Sequence, residues 1–250
     1  MLKRIAILTL CAVVGAPMVV FAQGITTQQA DEILKELRAI RQLLQQPPAA
    51  GAPPRAGIRP AGPQPDQKVK VMATGYAMGK MDAPLTLVEF TDLECPFCSR
   101  FHATTFEEIK KNYIDTGKVR YVTRDYPLPF HANAVKAANA ARCAADQGKF
   151  WEFRSALIKN ATKLGGDNIL QYARDMRLND KELSACLEKM TYDKDVQKDI
   201  EDAGKVGVSG TPTFVLGLTT LGEMDGVKIV GALPFEVFDT KIKELLAPKK

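Results

Sequence analysis

Apolar positions along the chain fall into four blocks of different period. The first, residues 5–22, is an almost unbroken apolar run that follows Lys3 and Arg4 and closes on Val20-Phe21-Ala22. A positive start, an apolar centre and small residues at the end predict an export signal over residues 1–22. The alternative is an uncleaved anchor, because the run sits at the lower limit for spanning a bilayer. The second block, 25–46, spaces Thr26, Ala30, Ile33, Leu37, Ile40 and Leu44 by alternating fours and threes. That is a helical seam with Leu at a and Ile at d, which favours three or four strands over two. Leu34 and Leu43 widen the stripe, and the alternative is a single amphipathic helix lying on the chain's own domain.

The third block, 47–67, loses periodicity altogether and holds seven of the 15 prolines. Such a stretch cannot build a packed core and predicts a semi-extended linker. From residue 68 to residue 250 the pattern is that of one α/β domain. Val69–Met72 reads as a short strand, and Leu85–Phe90 as a buried one. An amphipathic stretch carrying Phe101, Phe106, Ile109 and Tyr113 follows, and Asn133–Val206 reads as four or five short helices, with Asn179 and Glu182 in a capping pattern. Phe150, Trp151 and Phe153 are expected in the core. Val227–Gly231 reads as an edge strand and Pro234–Leu246 as a closing amphipathic helix.

Composition narrows this picture only slightly. The 250 residues are 46% hydrophobic and 25% charged with a formal net charge of +5, values of an ordinary globular chain that exclude wholesale disorder and a polytopic membrane protein. The basic residues form no dense run, so nucleic acid is not expected as a partner. Loss of Cys11 with the signal leaves Cys95, Cys98, Cys143 and Cys186, an even number suited to an oxidising compartment. Cys143 and Cys186 fall in two of the predicted helices. A structural disulfide between them, worth about 4 kcal/mol from chain entropy, is the simple expectation; a second redox pair is the alternative.

The chemistry lies just after the buried strand, in Glu94-Cys95-Pro96-Phe97-Cys98. Pro96 suits the first helical position, which puts Cys95 at the N-cap. Free amides and the positive end of the helix dipole then favour its thiolate, so Cys95 is the expected nucleophile. Cys98, one turn further in, would be shielded and placed to attack a mixed disulfide formed at Cys95. Half a zinc site looks the same, but no second close cysteine pair exists, and His102 and His131 are not in finger-like spacing, so no metal site is expected. His102 is expected to be an ordinary, partly exposed helix residue; the alternative is that, four residues after Cys98 on the same helix face, it approaches the sulfurs. Glu94, if near the sulfur, would oppose the thiolate. Glu89, in the middle of Leu-Thr-Leu-Val-Glu-Phe, sits badly in a buried strand unless it has a function or a partner, and burial would raise its pKa; a solvent-facing Glu89 is the alternative.

Further along, Val208-Ser209-Gly210-Thr211-Pro212-Thr213-Phe214 places a proline directly before an apolar strand. Together with Cys95-Pro96-Phe97-Cys98, this resembles the DsbA-like branch of the thioredoxin superfamily over residues 69–247. The resemblance implies a thioredoxin fold interrupted by a helical insertion at about 131–206, with Pro212 cis beside Cys95. It implies that Pro96, Phe97, Thr211 and Pro212 line the substrate site, Thr211 through its backbone, and that Glu89 handles protons. Strongly oxidising members carry Cys-Pro-His-Cys and Val before the cis proline; Phe97 and Thr211 depart from both. Thr before that proline is more similar to the isomerases and reductases. The tethered helix resembles that of the trimeric copper-tolerance members of the branch.

The expectation is an exported, periplasmic thiol-disulfide oxidoreductase whose only redox group is the Cys95–Cys98 pair, without a separate cofactor. Its partners would be cysteine-containing exported proteins, a membrane redox partner and further copies of itself through residues 25–46. Two other readings differ in class. One is a protein that holds Cu(I) on the reduced pair, since soft thiolates select that ion; the other is a structural or adhesive assembly.

Overall fold

The computed structural model describes residues 27–45, 67–165, 167–220 and 222–248. The export signal over 1–22 and the linker up to residue 66 lie outside the described residues. The chain divides into two units, 1–62 and 63–250. In the first, helix α1 runs Thr27–Gln45, and Ile33, Leu34 and Leu37 are each about half exposed along it.

The second unit is built on a six-stranded sheet: β1 (Gln67–Met72), β2 (Tyr76–Met78), β3 (Leu85–Thr91), β4 (Val119–Asp125), β5 (Thr213–Leu218) and β6 (Glu223–Val230). The spatial order is β1-β6-β5-β3-β4-β2, with β3 and β4 parallel and every other pair antiparallel. Gln67 already belongs to β1, so the linker ends one residue earlier than expected. The edge position expected of Val227–Gly231 is also corrected. β6 is an inner strand between β1 and β5, and β1, which comes 150 or so residues earlier, closes that edge.

Strand β3 is buried along its whole length because both sheet faces are covered. Alternation sends Leu85 and Leu87 into a cluster with Tyr121, Phe214 and Ile229, roofed by Phe101, Phe106, Ile109, Phe238 and Ile242. These roof residues belong to α2 (Pro96–Ala103), α3 (Thr105–Ile109) and the C-terminal α9 (Phe235–Leu246). The amphipathic stretch after the cysteines is thus a broken run, α2 and α3 followed by a π-helical segment, Lys110–Ile114. Val88 and Phe90 point the other way, against Val71, Val122, Val215 and Ala203.

Among the described residues, five helices lie between β4 and β5: α4 (Ala134–Ala145), α5 (Phe150–Lys159), α6 (Asn168–Asp175), α7 (Asp180–Glu188) and α8 (Asp193–Lys205). Their own core includes Phe150, Phe153, Leu157, Ile169 and Leu183. Asn179 caps α7, accepting from the Glu182 amide. Cys143 of α4 and Cys186 of α7 are joined by a disulfide across a separation of 43 residues. Buried charges tie this layer to the sheet: Arg124 of β4 donates to Asp199 and Asp202 of α8, and Arg142 of α4 to Asp125 and Asp199. Each carboxylate has a guanidinium partner, as burial of charge demands.

Candidate active site

The turn from β3 into α2 is held by Asp92. Its buried carboxylate accepts from the Glu94 amide (2.8 Å), the Leu128 amide (2.7 Å) and His131 Nδ1 (2.7 Å), while its carbonyl accepts from the Cys95 amide (3.2 Å). Cys95 is the N-cap of α2 with extended backbone (φ −75°, ψ 123°), Pro96 occupies the first helical position, and Ser99 makes the first helical bond back to the Cys95 carbonyl. From the far side comes the loop before β5, in which the Thr211–Pro212 peptide is cis. Cys95 Sγ lies 3.6 Å from the Thr211 carbonyl oxygen, which joins two segments 116 residues apart in sequence. Phe97 is 54% exposed beside the cysteines, with the Arg100 guanidinium 5.1 Å from its ring centre.

The two thiols are reduced and unequal. A hydrogen bond from the Cys98 thiol, supported by Thr211 and by the amides of Cys98 and Phe97, outweighs burial and brings the Cys95 pKa down to about 5. Burial, the adjoining Cys95 and the negative charge of Glu89 push Cys98 far up. At neutral pH Cys95 is therefore the thiolate of the pair, and Cys98, with no exposed surface, stays protonated behind it. Glu94 is turned away to the start of α4, accepting from the Asn133 amide (2.7 Å) and side chain (2.9 Å). Pulsed alkylation of the reduced protein is expected to follow a thiolate titrating near pH 5; a midpoint near 8.5, the value of a free cysteine, would contradict this geometry.

Glu89 points into the same layer from β3 and is fully buried. It accepts from the Tyr121 hydroxyl, from Arg154 Nη2 (3.2 Å) and from His102 Nε2, which is 3.0 Å from both carboxylate oxygens. Two expectations are corrected here. Burial alone would raise the Glu89 pKa, but His102 and Arg154 outweigh it and hold the carboxyl below the usual range. His102 is a partly exposed helix residue as expected, its side chain 10% exposed, but not an ordinary one, because it faces Glu89. Burial, aided by Arg154 and opposed by Glu89, lowers its pKa and keeps the imidazole neutral.

Tyr121 and Arg154 are absent from the sequence reading. For Arg154 a signal exists. It falls on the stripe of α5 that also carries Phe150, Phe153, Leu157 and Ile158, all buried, and a charged residue on an apolar stripe needs a buried partner. Among the described residues no group of three or more metal-ligating side chains comes together, and no helix is long and apolar enough to cross a membrane.

Comparison with known proteins agrees with this geometry. A family model described as thioredoxin matches residues 72–232. Among solved structures, alpha-DsbA1 of Wolbachia pipientis is 26% identical with a TM-score of 0.59, covering 68% of this chain and 89% of its own. BdbD of Bacillus subtilis, in its oxidised form, is 27% identical with a TM-score of 0.59, covering 68% and 91%. A thioredoxin-like oxidoreductase of Silicibacter pomeroyi is 26% identical with a TM-score of 0.55, covering 68% and 90%. Curated relatives include a Na(+)/H(+) antiporter, NhaA 1 of Mycolicibacterium gilvum, 34% identical over 182 residues; the match takes in 70% of this chain and 27% of that protein. The NhaA of Herminiimonas arsenicoxydans is 31% identical over 68% of this chain and 27% of its own length. The chain thus spans about a quarter of these curated relatives, too little to bring ion transport with it. A sheet of thioredoxin order, a helix opened by Cys95 and Pro96, a cis proline facing the sulfur, similarity to solved DsbA proteins and the match over residues 72–232 lead to one assignment: the chain belongs to the thioredoxin family.

Proposed function

We propose that this protein is exported and exchanges disulfides with cysteines of other exported proteins through Cys95-Pro96-Phe97-Cys98. The observation that carries the reading is the asymmetry of the pair, a sulfur at the helix start that lies 3.6 Å from the Thr211 carbonyl oxygen and is held low in pKa, and a fully buried thiol one turn behind it. Substrate sulfur attaches to Cys95, and Cys98 resolves the mixed disulfide. Thr211, Pro212, Pro96 and the exposed Phe97 ring form the wall on which an extended peptide is held by strand-like backbone bonds and apolar contact. A membrane redox partner restores the working state of the pair.

Thr211 before the cis proline, and the apolar stripe Ile33, Leu34 and Leu37 on α1, favour an oligomeric isomerase, or a combined oxidase and isomerase, over a plain oxidase. Leu at a with Ile at d suits a trimer or tetramer built through residues 25–46. The test is a paired assay on the mature protein, oxidation of a reduced peptide and rescue of scrambled ribonuclease, each repeated without residues 23–65. The expected result is that truncation abolishes rescue and spares oxidation. Oxidation alone, indifferent to truncation, contradicts the isomerase reading. Inactivity in both assays together with stoichiometric Cu(I) binding replaces exchange by copper holding.

A further inference from the structure

Cys98 must lose a proton each time it attacks the mixed disulfide at Cys95, and regain one each time it is expelled. It has no exposed surface through which water could serve. Glu89 is poorly suited to the task, since Arg154 Nη2 at 3.2 Å and the Tyr121 hydroxyl are bonded to the same oxygen and keep the carboxylate charged. His102 is differently placed. It stands four residues after Cys98 on α2, so the two side chains lie on one helix face with Cβ atoms about 5–6 Å apart. One ring nitrogen, Nε2, is fixed 3.0 Å from both Glu89 oxygens. The ring also forms part of the wall of a cavity of about 330 Å³ between α2, α3 and α5, with Phe106, Trp151, Arg154 and Ile158. An imidazole held by a buried carboxylate at one end, one helical turn from a buried thiol, and opening on a cavity is the arrangement of a proton carrier.

We propose that His102 takes the Cys98 proton and returns it, directly or through one water, with Glu89 orienting the ring and the cavity linking it to solvent. The inference rests on the exchange reading given above. In resolution, the Cys98 proton passes to His102, the Cys98 sulfur bonds to Cys95 Sγ, and the bond from Cys95 to the substrate sulfur breaks. The substrate leaves as a thiolate, reduced, and the two cysteines are left oxidised as a disulfide. In the opposite direction a substrate thiolate attacks Cys95, and Cys98 leaves as a thiolate that the imidazolium reprotonates. The groups facing the ring are Glu89 from β3, Arg154 from α5 at 3.3 Å from Nε2, Glu107 from α3, and the rings of Phe101 and Phe106. Burial and Arg154 keep the resting imidazole neutral and ready to accept, and a thiolate forming at Cys98 adds the negative charge that offsets Arg154 once the proton has moved.

The test follows single turnovers of the full mature protein with oxidised glutathione, quenched in acid and resolved by mass, so that formation and resolution of the Cys95 mixed disulfide are timed separately. In His102→Gln, which keeps an amide donor for Glu89 and guards against misfolding, resolution relative to formation is expected to fall about 100-fold and to lose the wild-type pH dependence. In His102→Ala, added imidazole, small enough for the cavity, is expected to restore resolution in proportion to its free base. A ratio within about threefold of wild type in His102→Gln overturns the proposal, as does slow resolution in His102→Ala that imidazole leaves unchanged. Wild-type protein that releases no reduced glutathione and gains no Cys95–Cys98 disulfide overturns the exchange reading itself, and the proposal with it.

Discussion

Replacing Cys95 by serine is expected to reduce disulfide exchange to the uncatalysed background, whereas replacing Cys98 by serine is expected to leave the first step running and to stall the second. Attack on a disulfide needs a thiolate, and the hydrogen bonds from the Cys98 thiol and the first amides of α2 make Cys95 one at neutral pH, with a pKa of about 5. A serine hydroxyl at the same N-cap is not ionised there and cannot form a disulfide. The fold should survive the change, because serine is a good N-cap residue and Pro96 keeps the helix start. Stopped-flow turnover of a fluorescent peptide disulfide distinguishes the two variants: Cys95→Ser flat, Cys98→Ser with one burst per chain and then arrest. Turnover by Cys95→Ser above background would remove Cys95 from the chemistry.

Glu89→Ala is expected to cost about 3–5 kcal/mol of stability at pH 7, the largest single loss among substitutions around the site, because it leaves Arg154 charged and buried with no carboxylate. The sign of the pH dependence follows from the direction of the shift. His102 and Arg154 hold the folded-state carboxyl below its unfolded value of 4.5. The stabilisation is therefore complete above about pH 4.5 and is lost as pH falls through the lower, folded-state value. In urea unfolding of the oxidised protein, the gap between wild type and Glu89→Ala should be constant from pH 7 down to about 5 and narrow below that. A gap that widens on acidification would mean that Glu89 is protonated in the native state and that its partners are misassigned.

Short-range patterns made much of this architecture legible in the sequence. The apolar run Leu85–Phe90, Pro96 at a helix start and Asn179 with Glu182 act within a few residues of themselves, and their structures follow from propensity, period and capping. What stayed hidden depends on contacts across the chain. His102 looks like a surface residue on α2 until Glu89, on a neighbouring strand, and Arg154, on a helix of the insertion, are brought to it. The same two partners reverse the direction of the Glu89 pKa, since burial is visible in an apolar strand and compensating hydrogen bonds and charge are not. β6 looks like an edge in the sequence because sequence order does not give spatial order; β1 folds back to cover it. The ion network of Arg124, Arg142, Asp125, Asp199 and Asp202 joins three elements and has no local signature apart from charged residues at buried positions.

The central claim, that a substrate cysteine is joined to Cys95 at the cis proline and released by Cys98, is tested most directly by trapping. Cys98→Ser is incubated with a peptide carrying one activated disulfide, and the adduct is digested and located by mass spectrometry. The account predicts one peptide per chain, attached to Cys95, with the Cys143–Cys186 disulfide intact. An adduct absent from Cys95, or a peptide exchanged instead into Cys143 or Cys186, would contradict it.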